Sequence, residues 1–421
     1  MLFRQQRKVE KNMSFAEHRE KLYQTLAENT LVIAYAGIPI HINEDAYFEF
    51  AVNSQYFYLT GVERECTAFV AFKTADKVRE TLFIEEPDPQ SERWTGKMPT
   101  KEEVQEISGI RDVRYTDSLE RAISSYLGRF RVEQAYFDLY RCQMNDLPDY
   151  NLVMAERFRQ AYPQVVLKDL HTACVPLREQ KDAEEVERIR KAVDITRQGL
   201  EFVMKDLKPG MMEYQVQADF EYTCRRLGAM RQAFPTIAGS GLNGCMMHYE
   251  TNHCEVKDGS LILLDLGVRY QNYCSDITRT YPVNGKYSPR QREIYELVLK
   301  ANEAVAAAAK PGITTRDLND IARKVLGEGL VAMGMIRDVS EVGKYYMHGV
   351  SHPIGIDVHD ISLAGDVLQP GWVISNEPGL YIDEEAIGIR IEDDLLITED
   401  GCEVLSKDII KDPDAIEAFM A

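Results

Sequence analysis

At 421 residues, 45% of them hydrophobic and 28% charged, the chain is long enough for two domains with sizeable buried cores, and polar enough to stay in solution. A formal charge of -19 argues against a nucleic-acid partner, because phosphate binding needs clustered Lys and Arg. The one local basic excess, from Arg4 to Lys11, reads as a solvated terminus. No apolar stretch follows it, so no signal peptide is expected. The longest apolar runs, such as Ala304–Ala309 and Leu261–Leu264, are too short to cross a bilayer, so no membrane partner is expected. Eight scattered cysteines without a C-x-x-C pair fit reduced thiols and a cytoplasmic location. Cys245, Cys254 and Cys274 read as small core residues and not as nucleophiles.

Residues 1–172 read as one α/β unit. Leu31–Ala36 and Thr67–Phe72 are apolar enough for buried strands, and Lys101–Ile107 and Ser118–Gly128 have helical spacing. The aromatic run Tyr56-Phe-Tyr-Leu-Thr-Gly61 reads as a strand ending in a turn. This half carries no metal or nucleophile constellation and is expected to be a scaffold or an oligomerisation domain. Composition changes near Pro176. Asp182 to Lys205 is charged and helical, with Val186, Ile189, Val193 and Leu200 on one stripe. The second domain is placed at 173–421.

That second half contains an internal repeat. Two helices each stop at Lys-Pro-Gly, beginning at 208 and 310, which lie 102 residues apart, and each is followed by a second helix. Further on, Gly259-Ser-Leu-Ile-Leu-Leu-Asp265-Leu-Gly267 parallels Gly371-Trp-Val-Ile-Ser-Asn-Glu377-Pro-Gly379, with both glycines and both carboxylates 112 residues apart. A duplicated helix–helix–strand unit would place Asp265 and Glu377 at equivalent points of related strands. A pseudo-two-fold packing of the halves would then bring them together.

Asp265 ends an apolar run, where a buried carboxylate is costly unless paired or metal-bound. Asp276 follows eleven residues later, and a turn at Tyr270–Asn272 would set the two aspartates side by side. Ion pairs with Arg269 or Arg279 are an equally good account of both. His348, His352 and His359 are three of the eight histidines and fall within twelve residues, between glycines. Pro378 and Gly379 end a strand and aim Glu377. In Gly388–Asp394, alternation places Arg390, Glu392 and Asp394 on one strand face. Four carboxylates, Asp265, Asp276, Glu377 and Glu392, with one imidazole, His352, form a hard donor set suited to Mn2+, with Co2+ or Zn2+ as substitutes. Carboxylates can bridge two such ions about 3.5–4 Å apart, and a water or hydroxide bridging them would attack a carbonyl. Gly239-Ser-Gly241-Leu-Asn-Gly244 matches a dinucleotide fingerprint, but the run after it, Cys-Met-Met-His-Tyr, is strand-like and not an amphipathic helix, so the match is set aside.

Taken together, Leu264-Asp265-Leu-Gly, Ser275-Asp276-Ile-Thr-Arg-Thr, His348-Gly-Val-Ser-His352, Asp357-Val-His359-Asp, Glu377-Pro-Gly and Arg390-Ile-Glu392-Asp-Asp resemble the proline-specific metallopeptidases of the pita-bread fold, aminopeptidase P and prolidase. The likeness covers nearly the full length. It implies an α/β (α+β) chain with a creatinase/prolidase-like N-terminal domain and a pita-bread catalytic domain. It implies that Asp265, Asp276, His352, Glu377 and Glu392 bind two divalent ions, usually manganese. His248 and His359 would contact substrate and steady the tetrahedral intermediate, His348 and Arg390 would line the site, and Glu377 would shuttle the proton. The implied substrate is a peptide with proline in second position, and the implied assembly is a homodimer or homotetramer. Trp94 resembles an aromatic residue that reaches into a neighbouring subunit's site. Pro353 and Asn376 depart from the usual pattern beside the ligands. The activity expected is that of an Xaa-Pro aminopeptidase. The alternatives are an Xaa-Pro dipeptidase (prolidase) and a non-catalytic pita-bread binding module. A methionine aminopeptidase would resemble the C-terminal domain only.

Overall fold

The computed structural model describes residues 15–363, 365 and 367–421. The basic segment Arg4 to Lys11 lies outside the described residues. The chain divides into two compact units, Met1–Leu177 and Arg178–Ala421, and the helix Leu170–Glu179 runs through both that division and the 172/173 position expected for it.

The first unit is built on six strands: β1 (Thr30–Tyr35), β2 (Ala68–Lys73), β3 (Val78–Ile84), β4 (Val113–Tyr115), β5 (Gln134–Phe137) and β6 (Val166–Asp169). They form one mixed sheet in the order β4-β3-β2-β1-β5-β6. Every residue of β1 is buried, as expected of a central strand covered on both faces. Leu31, Ile33, Val70, Phe72 and Phe83 pack with Leu119, Ile123 and Phe158 from the flanking helices. Burying each such side chain contributes ~1.5–3 kcal/mol.

The run from Tyr56 to Gly61 is helical, not a strand. The helix Ser54–Thr60 begins where the Asn53 side chain accepts the Tyr56 N–H. It ends where Gly61, at φ 68°, donates to the carbonyl of Phe57. Gln55 through Thr60 are all buried, so the segment has no polar face for periodicity to reveal. Its caps decide the structure where its β-like composition points the other way.

The second unit realises the repeat. The helix Ala183–Asp206 opens on a capping box, in which Asp182 accepts the N–H groups of Glu184 and Glu185 and the Glu185 carboxylate takes the Asp182 N–H. It is followed by the helix Glu213–Arg226, and the pair Pro289–Ala308 and Thr315–Ala332 repeats the arrangement. The strands are β7 (Arg231–Gln232), β8 (Ile237–Ser240), β9 (Leu261–Leu266), β10 (Val268–Tyr270), β11 (Tyr273–Cys274), β12 (Ile277–Pro282), β13 (Val373–Asn376), β14 (Gly379–Ile382), β15 (Ile387–Arg390), β16 (Asp393–Ile397) and β17 (Cys402–Val404). β9 lies between β8 and β12, while β16 lies between β13 and β17; all these pairings are antiparallel. Gln271 and Asn272, at φ 47° and 65°, form the two-residue turn between β10 and β11. Two consecutive left-handed residues match the right-handed twist of a tight hairpin. Gly267 allows the close approach next to this turn, since a Cβ there would sit 1.9 Å from the carbonyl oxygen of Ser275.

Two further segments differ from the sequence reading. Gly388–Asp394 is not one strand: β15 ends at Arg390, and β16 starts at Asp393 with a different partner. Between them, Ile391 N–H bonds Pro378 O and Glu392 N–H bonds Thr278 O, so neighbouring elements take the ladder bonds. Met246 to Tyr249, expected as strand-like, form no strand; Gly241–Cys245 is a 3-10 turn and the chain continues as a loop.

Candidate metal centre

Five side chains meet where strands begin or end. Asp265 is the penultimate residue of β9, and its register partner is Thr278 on β12. Asp276 immediately precedes β12, and its backbone N–H is held by Asp394 Oδ2 at 3.3 Å. His352 is anchored beside β13: its N–H bonds Ser375 Oγ at 2.9 Å, and its carbonyl accepts Ser375 N–H at 2.8 Å. Glu377 follows β13, tied through its N–H to Val350 O. Glu392 occupies the break between β15 and β16, where Thr278 Oγ1 donates to Glu392 Oε2 at 2.7 Å.

His352 Nε2 lies 3.3 Å from Asp276 Oδ2 and 3.5 Å from Glu377 Oε1. One oxygen each from Asp276 and Glu392 and a ring nitrogen of His352 all fall within 4.8 Å of one another. Across the site, Arg390 Nη2 donates to Asp265 Oδ2 at 2.5 Å. The same guanidinium donates through Nε to Thr278 Oγ1 at 3.0 Å and through Nη1 to Tyr381 OH at 2.9 Å.

The electrostatics are those of crowded carboxylates. Burial pushes the Asp276 carboxyl well above its usual range, and the charges of Asp265, Asp394 and Glu377 push it further. Burial, then Asp276, Glu377 and Asp265, do the same to Glu392. Glu377 is raised mainly by burial, against the opposing pull of His352 and Arg390. Like charges packed this way stay ionised only if a cation joins them.

Two details fit that cation. Asp265 Oδ1 is buried without a hydrogen-bond partner. The His352 ring places Nδ1 3.1 Å from its neighbour's carbonyl, Pro353 O. With Nδ1 donating, the lone pair of Nε2 faces two carboxylate oxygens, a repulsive contact that a shared cation reverses. Four oxygen-donating carboxylates and one imidazole suit divalent metal ions.

His348 is differently employed. Arg390 can only donate, so Tyr381 OH accepts from it and passes its own proton toward His348 Nε2, 2.8 Å away. His348 Nδ1 then donates to Gly349 O at 2.7 Å, which occupies both ring nitrogens. Burial, followed by the Arg390 charge, pushes the imidazole down to about 4, so the ring is neutral near pH 7. His359 stacks on His352 with ring centroids 3.9 Å apart. Desolvation, then the imidazoles of His352 and His248, push it down to about 4 as well. His248 sits exposed on the loop after the 3-10 turn, near enough to His359 to disfavour its charge.

Arg279, the alternative structural partner of the aspartates, bonds Asp393 at 2.8 Å, while Arg269 lies 3.9 Å from Asp357. Cys245 and Cys274 are free thiols pushed up to about 12, chiefly by burial, which suits inert packing. Thr278, Ser375 and Tyr381 support the cluster but were not singled out from sequence. Alternation from Asp276 places Thr278 on the same strand face and was the available signal. Tyr381 had none beyond its place in a short apolar strand.

Residues 187–399 match metallopeptidase family M24, and residues 15–134 match the aminopeptidase P N-terminal domain. The chain is 32% identical to an Xaa-Pro aminopeptidase of Escherichia coli K12, over 96% of this chain and 97% of that protein. The chain belongs to the aminopeptidase P branch of metallopeptidase family M24. Solved structures agree. A Bacillus anthracis protein described as a candidate aminopeptidase P superposes with a TM-score of 0.94 at 42% identity, covering 96% of this chain and 97% of that one. The low-pH form of Escherichia coli aminopeptidase P superposes with a TM-score of 0.88 at 31% identity, with the same coverage. The second unit is therefore a pita-bread domain, and the family is one of metal-dependent hydrolases.

Proposed function

We infer that this chain is a metal-dependent aminopeptidase that hydrolyses the Xaa-Pro bond at the N-terminus of peptides. The observation that carries the reading is the cluster of Asp265, Asp276, His352, Glu377 and Glu392, within a chain that resembles an Xaa-Pro aminopeptidase over 96% of its length. That likeness favours the aminopeptidase over the dipeptidase, and the intact donor set disfavours a binding module without activity. The five residues would hold two divalent ions, with Mn2+ the best match to the donors and Co2+ or Zn2+ as substitutes. When bound, such ions polarise the scissile carbonyl and make water a nucleophile near neutral pH.

The protein's own groups do the rest. Glu377, its carboxyl raised by burial, is suited to take a proton from water at Oε and deliver it to the departing proline nitrogen. His359 is neutral at pH 7 and, with His248, can donate a hydrogen bond to the oxyanion of the tetrahedral intermediate. Arg390 fixes Asp265 from behind, and Tyr381 and His348 extend that chain along the wall of the site. Eight free thiols support a reducing, cytoplasmic setting, and no helix among the described residues is long and apolar enough to cross a membrane. A homodimer or homotetramer is the assembly expected from the resemblance.

The test compares Arg-Pro-Pro with Arg-Pro, with Mn2+ present and after exhaustive chelation. Release of arginine from the tripeptide only, lost on chelation and restored by Mn2+, is the expected result. Cleavage that survives chelation rejects the metal mechanism, and cleavage of the dipeptide alone rejects the aminopeptidase in favour of the dipeptidase.

A further inference from the structure

His248, a candidate substrate contact, stands on a stretch without helix or strand, between the 3-10 turn and β9. Such a residue is useful only if something holds its loop. The holding group is a single carboxylate, Glu213, the first residue of the helix Glu213–Arg226 and fully buried. Its Oε1 accepts Ser240 N–H at 2.8 Å, Ser240 Oγ at 3.0 Å and Asn243 Nδ2 at 2.9 Å. Its Oε2 accepts Tyr249 OH at 2.8 Å and Cys254 N–H at 2.9 Å. These donors bracket His248 in sequence, and one of them is its immediate neighbour. Tyr249 also packs with Ile237, Leu263 and Tyr381, the same Tyr381 that bonds His348 and Arg390. One turn along the helix, Gln217 Oε1 accepts from Asn252 Nδ2 at 3.0 Å, and Asn252 Oδ1 accepts Ala238 N–H at 3.0 Å.

We propose that Glu213 is a positioning residue: its carboxylate closes the 240–254 loop at the neck and sets His248 over the catalytic centre. The inference rests on the reading of His248 as a substrate contact. Ser240 N–H, Asn243 Nδ2 and Cys254 N–H can only donate, so both carboxyl oxygens of Glu213 are needed as acceptors. In Glu213→Gln the amide oxygen can keep the Ser240 and Asn243 side. Its NH2 then faces the Cys254 N–H, and that side of the neck loses its acceptor while shape and volume are kept.

The test is a double-mutant cycle in the full-length Mn2+ enzyme, reading kcat on Arg-Pro-Pro. Glu213→Gln is expected to lower kcat about 10–100-fold, the usual cost of losing a group that orients a reacting one. In a His248→Ala background the same change is expected to cost under about 3-fold, because the residue it positions is gone. An equal loss in both backgrounds would mean general damage and overturns the proposal, as does normal kcat in Glu213→Gln beside an impaired His248→Ala. Should His248→Ala itself retain full activity, the reading of His248 falls and the proposal falls with it. If Glu213→Gln gives no soluble protein, Tyr249→Phe, which removes one donor and keeps the ring in its apolar cluster, goes through the same cycle and decides.

Discussion

Asp276→Asn separates a metal ligand from a structural ion-pair partner, because the two roles predict opposite effects on stability. The Asp276 carboxyl is buried and its pKa is raised by burial and by the charges of Asp265, Asp394 and Glu377. A group whose folded pKa lies above its unfolded value destabilises the fold once ionised. Without metal, therefore, the neutral amide removes a liability. Two unit charges about 4 Å apart interact by ~4 kcal/mol at an effective dielectric constant of about 20. Relief of even ~1 kcal/mol of that repulsion raises Tm by roughly 2–4 °C for a unit of this size. Metal-free Asp276→Asn should thus melt at or above the metal-free wild type. In activity the sign reverses: losing ~4 kcal/mol of attraction for a cation corresponds to about a thousandfold. We expect kcat/KM on Arg-Pro-Pro to fall by about that factor at fixed Mn2+. The measurements are calorimetry on dialysed, metal-free protein and initial rates with added Mn2+. If Asp276 instead served to pair His352, from which it lies 3.3 Å, the metal-free variant would melt lower and keep its turnover. That pair of results would refute the reasoning.

Arg390 spends three separate donors on Asp265, Thr278 and Tyr381, a fork that lysine cannot reproduce. Arg390→Lys should cost about 10–100-fold in kcat with the fold retained, and near wild-type turnover would show that charge alone suffices there. The raised carboxyls of Asp276, Glu377 and Glu392 also predict a pH signature. In metal-free protein their contribution is intact at low pH, below the unfolded values, and is lost as pH rises through the folded ones. Bound cations offset that loss, so the Tm difference between Mn2+-loaded and metal-free protein should widen from about pH 5 to pH 8. A difference that is constant or narrows over that range would contradict the carboxylate cluster as the binding site.

Much of this protein was readable along the chain, because its most informative features are local. The Lys-Pro-Gly stops 102 residues apart mark helix ends, which depend on neighbours in sequence, and the helices Ala183–Asp206 and Pro289–Ala308 end beside them. Asp265 and Glu377 were conspicuous because a carboxylate at the end of an apolar run needs a partner. The turn before Asp276 was legible because two adjacent residues form it.

The tertiary structure alone decided what depends on distant contacts. Composition made the Tyr56 to Gly61 run look like a strand, yet caps from Asn53 and Gly61 and burial on every side make it a helix. Alternation made Gly388–Asp394 one strand, but Pro378 and Thr278 take the hydrogen bonds at Ile391 and Glu392 and split it between two partners. Whether the aspartates faced Arg279 or other carboxylates was open in sequence, since Arg279 is close along the chain while Glu377 and Glu392 approach only through the fold. The fold gives Arg279 to Asp393 and Arg390 to Asp265. Of the groups that orient the centre, Thr278 had only strand alternation to mark it, and Tyr381 and Glu213 had no motif around them. Their roles exist only through the oxygen or nitrogen each meets across the fold, and that meeting is a property of packing.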